Sequence, residues 1–257
     1  MNGACPLATV FAVAMISAAA GQAAAREWPV DVHGFLLGTV SGRTTGLRPP
    51  RGDGDFVLGE ERVRFDLSGT ALSGAALALV KLDLFHDAVA NRIDDDLREA
   101  YGGYTKGPVD LRLGRQILTW GVGDLFFIND TFPKDWESFF SGRPMEYLKL
   151  GVDGLRTRYS SQVVNVEFVA VPFLFTSDRL PTAERFFFFD PFSGVPHQQK
   201  IEPASRLSNT ELALRLYRQV ADFDVSLYAA RGFWRTPSVR VDDLAAPATA
   251  TRFFPEL

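Results

Sequence analysis

The charged residues Arg62, Arg64, Asp66, Lys81, Asp83, Asp110, Arg112, Arg156, Arg158, Glu211, Arg215, Asp222 and Asp224 stand among apolar residues in extended, alternating segments. At a period of two they would share one face of a sheet, with the apolar side chains on the other. Their signs are near balance. Such a face suits a water-filled wall with weak charge selectivity, because rings of a single sign are what filter ions.

Other chemistry is sparse. The histidines His33, His86 and His197 have no second histidine or cysteine at metal-ligand spacing. Ser68 and His86 fall on consecutive extended segments, but at opposite ends, where a nucleophile and its base could not meet. Asp94, Asp95 and Asp96, with Asp87 upstream, form an acidic cluster placed here in a loop. It and Gly52-Asp53-Gly54-Asp55 could offer oxygens to calcium, but both lack the pattern of a dedicated site and read as solvated loop tips. The expectation is no cofactor, no metal and no enzymatic activity.

Segment 121–149 is the most unusual stretch. It combines Phe126, Phe127, Trp136 and Phe139-Phe140 with Asp124, Asp130, Lys134, Asp135 and Glu137. So many aromatics in a connection need burial. A loop folded inward as a constriction or plug would bury them, with Asp124, Phe126, Phe127, Asp130, Lys134, Asp135 and Trp136 as its candidate residues. The alternative is a loop over the mouth or against a partner. Phe186 to Phe189 form a second apolar patch, facing lipopolysaccharide or the first loop.

The elements that must carry these residues show a rhythm. Nine extended segments are read near 32–41, 59–72, 75–87, 95–105, 109–120, 150–160, 163–175, 208–219 and 222–234. Joins at Ser73-Gly74, Lys106-Gly107-Pro108, Ser160-Ser161-Gln162 and Gln219-Val220-Ala221 are short. Those at 42–58, 88–94, 121–149 and 176–207 are mostly long. Short turns at one end and long loops at the other are the asymmetry of a transmembrane β-barrel. Aromatics at segment ends extend the pattern: Trp120, Phe173, Phe175, Phe233 and Trp234 beside the long joins, and Tyr104, Tyr159 and Tyr217 beside the short ones. Two such belts mark two membrane interfaces. Arg115 breaks the pattern, being in phase with Val109, Leu111 and Leu113, and a face-switching bulge is the expected cause.

Residues 1–25 carry no charged side chain, and the apolar run from Leu7 to Ala20 ends in Ala23-Ala24-Ala25 before Arg26. This reads as a secretory signal cleaved after Ala25. The run falls short of the ~20 residues of a membrane helix. Cys5, the only cysteine, lies inside it, so the mature chain has no disulfide and no thiolate chemistry. With 27 basic and 31 acidic residues spread along the chain, there is no nucleic-acid-binding patch.

Leu97-Arg98-Glu99-Ala100-Tyr101, Val109 to Gln116 with its Gly114-Arg115-Gln116, Trp120-Gly121, Asn129-Asp130, Pro133-Lys134-Asp135, Leu155-Arg156, Tyr159, Val171-Pro172-Phe173 and Leu180-Pro181 together resemble a porin-like family of bacterial outer-membrane β-barrels without an assigned function. The resemblance covers about 97–181. It implies a barrel that passes or binds small solutes or lipid-like molecules. The members of that family are longer, nine strands is an odd count, and Phe253 to Leu257 contain no closing strand. The chain is therefore expected to lack carboxy-terminal strands of the barrel.

The expected protein is all-β, an antiparallel transmembrane β-barrel of about nine strands at 26–257, in the bacterial outer membrane. Its partners are outer-membrane lipid, lipopolysaccharide, a small-molecule solute and a periplasmic export partner; nucleic acid is excluded. Its function is diffusion or export of small molecules. The alternatives are a carrier for hydrophobic or lipid-like compounds and a soluble periplasmic ligand-binding β-protein.

Overall fold

A computed structural model of the chain describes residues 14–16, 30–46, 54–120, 130–182, 185–186, 192 and 194–257. Ten strands form one antiparallel sheet: β1 (Ala14–Ile16), β2 (Asp31–Gly42), β3 (Phe56–Ala71), β4 (Ala76–Asp87), β5 (Arg92–Lys106), β6 (Val109–Ile117), β7 (Gly151–Tyr159), β8 (Asn165–Val171), β10 (Glu211–Val220) and β11 (Phe223–Arg231). Each pairs with its predecessor in this order. The nine from β2 onward match the nine segments expected from alternation. Three-residue β1 lies in the expected signal and pairs with Leu36–Gly38. Among the described residues the sheet is not closed, and β1 and β11 are its edges.

The joins after β3, β5, β7 and β10 are short and fall at one end of the sheet, and the others fall at the opposite end. Gly74 at φ +87° and Gly107 at φ +56° supply the left-handed backbone that two of these turns require. One connection is shorter than expected. Between Asp87 and Arg92 the chain turns in four residues, 88–91, held by Asp87 Oδ1 accepting from the Val89 and Ala90 amides at 3.0 and 3.1 Å. Asp94, Asp95 and Asp96 consequently lie in β5 and not in a loop. Asp94 pairs with Arg92 at 3.4 Å and Asp96 with Arg98 at 3.3 Å.

Segment 172–210 is not a plain loop either. It contains β9 (His197–Ile201), which pairs in parallel with β13 (Thr249–Phe253), and β12 (Ser238–Val241) completes this second, three-stranded sheet. Within 130–150 a helix, α1 (Trp136–Ser141), starts on Asp135, whose Oδ1 accepts from the Ser138 amide at 2.8 Å. It ends at Gly142, at φ +78°. A 3-10 turn, Met145–Leu148, follows.

The two faces of the large sheet are inverted relative to a sheet packed in water. Register places Arg62, Arg64, Asp83, Glu167 and Glu211 on one face, and all are buried, Asp83 at 0% and Arg62 at 3% exposure. On the other face Val32, Leu113 and Leu227 are 66%, 67% and 68% exposed. A soluble sheet covers its apolar face at about 25 cal/mol per Å², whereas this one covers its charges.

Arg115 does lie on the apolar face with Leu113, but no bulge puts it there. The β6–β7 register runs without a shift from Val109 to Ile117. The arginine is neutralised beside its cross-strand neighbour Asp153 at 2.9 Å and donates to the Leu97 carbonyl at 2.6 Å. The irregularity of this region is in β4–β5, where the register shifts between Lys81 and Leu82 and leaves Arg98 as the extra residue.

Candidate functional site

The candidate site is the polar face and the segment laid on it. On β3 and β4, Arg62 Nη1 and Arg64 Nη2 each donate to Asp83 Oδ2 at 2.8 Å, and Arg64 Nε donates to Asp83 Oδ1 at 2.5 Å. Arg62 Nε donates to Glu60 Oε1 at 2.8 Å. These are charge-assisted bonds between groups closed off from water, where an unpaired charge is costly.

Farther along the same face, Arg156 pairs with Glu167 at 2.7 Å, and Asp110 faces Arg112 and Arg158 at 3.7 and 3.4 Å. Lys81, opposite Asp66 in register, bonds Glu99 at 3.0 Å. Arg215 stacks on Tyr217 and Tyr228 and donates to Ser226 Oγ at 3.3 Å. Glu211 is paired with Arg235 at 2.9 Å. Asp224 shares the face, across from Gln219. Asp222 does not, because it sits in the two-residue turn before β11. Every other wall residue expected from alternation is on this face. Most of them meet a side chain of opposite charge.

The segment after β6 comes down onto the β3–β5 part of the polar face through Tyr147, Glu146 and Arg143, which the sequence did not single out, and through Glu137, which it did. Tyr147, fully buried, lies with its ring 4.5 Å from the Arg62 guanidinium and 5.1 Å from those of Arg64 and Arg98. Its neighbour Glu146 bonds Arg64, and the Glu146 carbonyl accepts from Arg98 at 2.5 Å. Arg143 reaches Glu60 Oε2 through Nε and Nη2, at 3.1 and 2.7 Å. Glu137 on α1 meets Arg185 at 3.3 Å, and Arg185 in turn bonds Asp87 on β4. Burial raises the Tyr147 phenol well above its usual range, helped by Asp83, so the ring meets the arginines uncharged.

The expected constriction residues do other work. Asp124, Phe126 and Phe127 lie outside the described residues. Asp130 bonds Lys149 at 2.7 Å, Lys134 Nζ donates to the Asp130 and Phe132 carbonyls at 2.7 Å, Asp135 caps α1 and pairs with Arg179 at 2.7 Å, and Trp136 Nε1 donates to Asp178 at 3.1 Å. The Asp130 and Lys134 side-chain bonds stay within the segment, and those of Asp135 and Trp136 tie it to the strap after β8. Burial lowers the Lys134 ammonium, opposed by Asp130 and Asp178.

Four aromatic positions also differ from the expected belts, Phe175 and Phe233 being half-buried against each other with their rings 6.0 Å apart. Trp120 is buried on the polar side in a cluster with Leu118, Phe132, Val152, Val169, Val171 and Ala213. Tyr217 is in phase with Arg215 on the polar face. Tyr104, Tyr159, Phe173 and Trp234 are exposed as expected. Phe186 is buried and its ring lies 6.1 Å from Phe140, so the second apolar patch meets the first loop there.

Between the segment and the wall remains a cavity of about 430 Å³, bordered by Arg64, Lys81, Arg98 and Glu99 from the sheet and Met145, Glu146 and Lys149 from the segment. Chemically this is a polar space with an excess of cations, Arg64, Lys81, Arg98 and Lys149 against Glu99 and Glu146, and no nucleophile–base pair. Among the described residues no cluster of His, Cys, Asp and Glu could hold a metal.

Glu137 carries a pH signature. Burial raises its carboxyl, against the opposing pull of Arg185 and then Arg143. A carboxyl whose folded value exceeds its unfolded one adds stability below the ordinary glutamate range, and that stability is lost as pH rises through the folded value. Relative to the parent, Glu137→Gln is therefore expected to weaken the fall in urea midpoint as pH rises above the ordinary glutamate range of about 4. Identical pH dependence in both proteins would rule Glu137 out as its source.

No known protein family and no curated protein matches the chain.

Proposed function

We propose that the chain is an outer-membrane, porin-like barrel protein whose polar face lines a path for diffusion or export of small molecules, narrowed by segment 130–149. The observation that carries this reading is the inversion of the sheet. Exposed leucines, valines and phenylalanines on one face suit lipid, and covered, paired charges on the other suit a lumen. The gathering of short turns at one end supports it. On this reading the chain loses residues 1–25 on export and contacts outer-membrane lipid and lipopolysaccharide, with the long joins outermost.

Cell fractionation tests it. The protein is expected in the outer-membrane fraction, extracted only by detergent, and running with different gel mobility before and after boiling. Recovery in the soluble periplasm, with a single mobility, would end the membrane reading in favour of a soluble ligand-binding β-protein.

A further inference from the structure

The signs of the polar face balance over its whole extent but not in each part. Toward the short-turn end of β6, β7, β8 and β10, Arg112, Arg156, Arg158 and Arg215 share the face with Asp110 and Glu167. Register sets Arg112 directly opposite Arg156. Like charges placed so repel each other unless something negative lies between them.

The two carboxylates leave much of that charge uncovered. Glu167 bonds Arg156 at 2.7 Å, although its direct cross-strand neighbours are Arg158 and Arg215. Asp110 lies between Arg112 and Arg158, but its Oδ1, the atom both approach, accepts a hydrogen bond from neither. Among the described residues the Arg158 side chain makes no hydrogen bond, and 35% of it is exposed. Arg112 donates only to the Tyr101 hydroxyl, at 3.1 Å. Arg215 donates to Ser226 and reaches no carboxylate. Asp224, nearer the turn and across from Gln219, pairs with none of the four.

The donors decide what the patch can hold. Arg112, Arg156 and Arg158 are adjacent on two paired strands, so their planar forks meet around one centre. A phosphoryl group offers several oxygens to such a ring of donors, whereas a lone carboxylate satisfies a single fork.

We propose that this arginine patch binds the phosphoryl group of a small solute, with inorganic phosphate as its simplest ligand. The inference rests on the channel reading only in taking the polar face as the solute's route, and it names the class of solute.

The test is calorimetric titration of inorganic phosphate into the full chain in dodecyl maltoside, at neutral pH and constant ionic strength. Saturable binding is expected, undisturbed by acetate or chloride. Arg158→Gln is expected to weaken it about fivefold or more, and Arg158→Lys, which keeps the charge without the fork, to weaken it as well. Asp110→Asn removes the competing carboxylate and is expected to tighten binding about threefold, a gain that a poorly folded protein could not show. Lys81→Gln takes a cation from another part of the face and is expected to bind as the parent does. Absence of saturable heat, parent affinity in either Arg158 variant, no gain in Asp110→Asn, an equal loss in Lys81→Gln, or displacement by acetate or chloride would each overturn the proposal. Ion flux across planar bilayers reads the channel separately. A protein that binds phosphate but forms no channel refutes the route and not the patch, and a channel that binds no phosphate refutes the patch alone.

Discussion

Asp83→Ala is expected to destabilise the folded protein by about 3–5 kcal/mol, the usual cost of removing one partner from a buried ion pair. Asp83 is wholly covered and takes three hydrogen bonds from Arg62 and Arg64. Without it, Arg62 keeps Glu60 and Arg64 keeps only Glu146, whose side chain is half in solvent. Two guanidiniums, both stacked on Tyr147, are then left with too little negative charge. The urea midpoint of the refolded protein, followed by its tryptophan fluorescence, measures the loss. Asp83→Asn keeps the shape without the charge and is expected to fall between parent and alanine. A loss under about 1 kcal/mol, the range of exposed pairs, would mean that the site is open to water and the network is not closed.

The second large effect separates the faces. Leu214 is on the apolar face between Phe168 and Ala229, and Ser226 is on the polar face opposite Tyr217. An arginine at Leu214 is expected to cost about 2–4 kcal/mol in a bilayer. At Ser226 it gives up the hydrogen bond from Arg215 and sets a second cation beside that residue, and it is expected to cost about 1 kcal/mol or less. Ala213 is on the polar face as well but is no mild control. It is buried against Trp120, Phe132 and Val169, so an arginine there overfills a packed cluster and buries a charge. Unfolding of the three variants in lipid gives the order. Equal costs at Leu214 and Ser226 would show that neither face meets lipid.

The strands were legible because each carries its own signal. A period of two is local, and β3, β4, β10 and β11 display it over nearly their whole lengths. The faces followed from the strands, and so did the wall charges apart from Asp222. What misled was composition used in place of phase. The run Asp94-Asp95-Asp96 looks like a loop, yet in β5 Asp94 and Asp96 are each held by an arginine two residues away. α1 left readable marks, with Asp135 as its cap and Gly142 just beyond its end, but it is six residues long and buries no repeating stripe. β9, β12 and β13 are four or five residues each, and β9 finds its partner in β13 about fifty residues away, a pairing that nothing local announces. The docking residues Arg143, Glu146 and Tyr147 carry no local mark for the same reason, since their partners on β3 and β5 come much earlier in the chain.

That distance in sequence bears on how the protein assembles. The large sheet is built from neighbours, hairpin after hairpin, whose pairing requires only short loops to close. The ties of segment 130–149 and of Arg185 to that sheet span 83 residues from Glu60 to Arg143 and 98 from Asp87 to Arg185. Zipping the intervening hairpins shortens the free chain between those ends, so the entropy of closing them falls only after the sheet exists. The docked segment is thus the last layer to be laid down, and Asp83, Glu60 and the arginines beside them remain hydrated until it arrives.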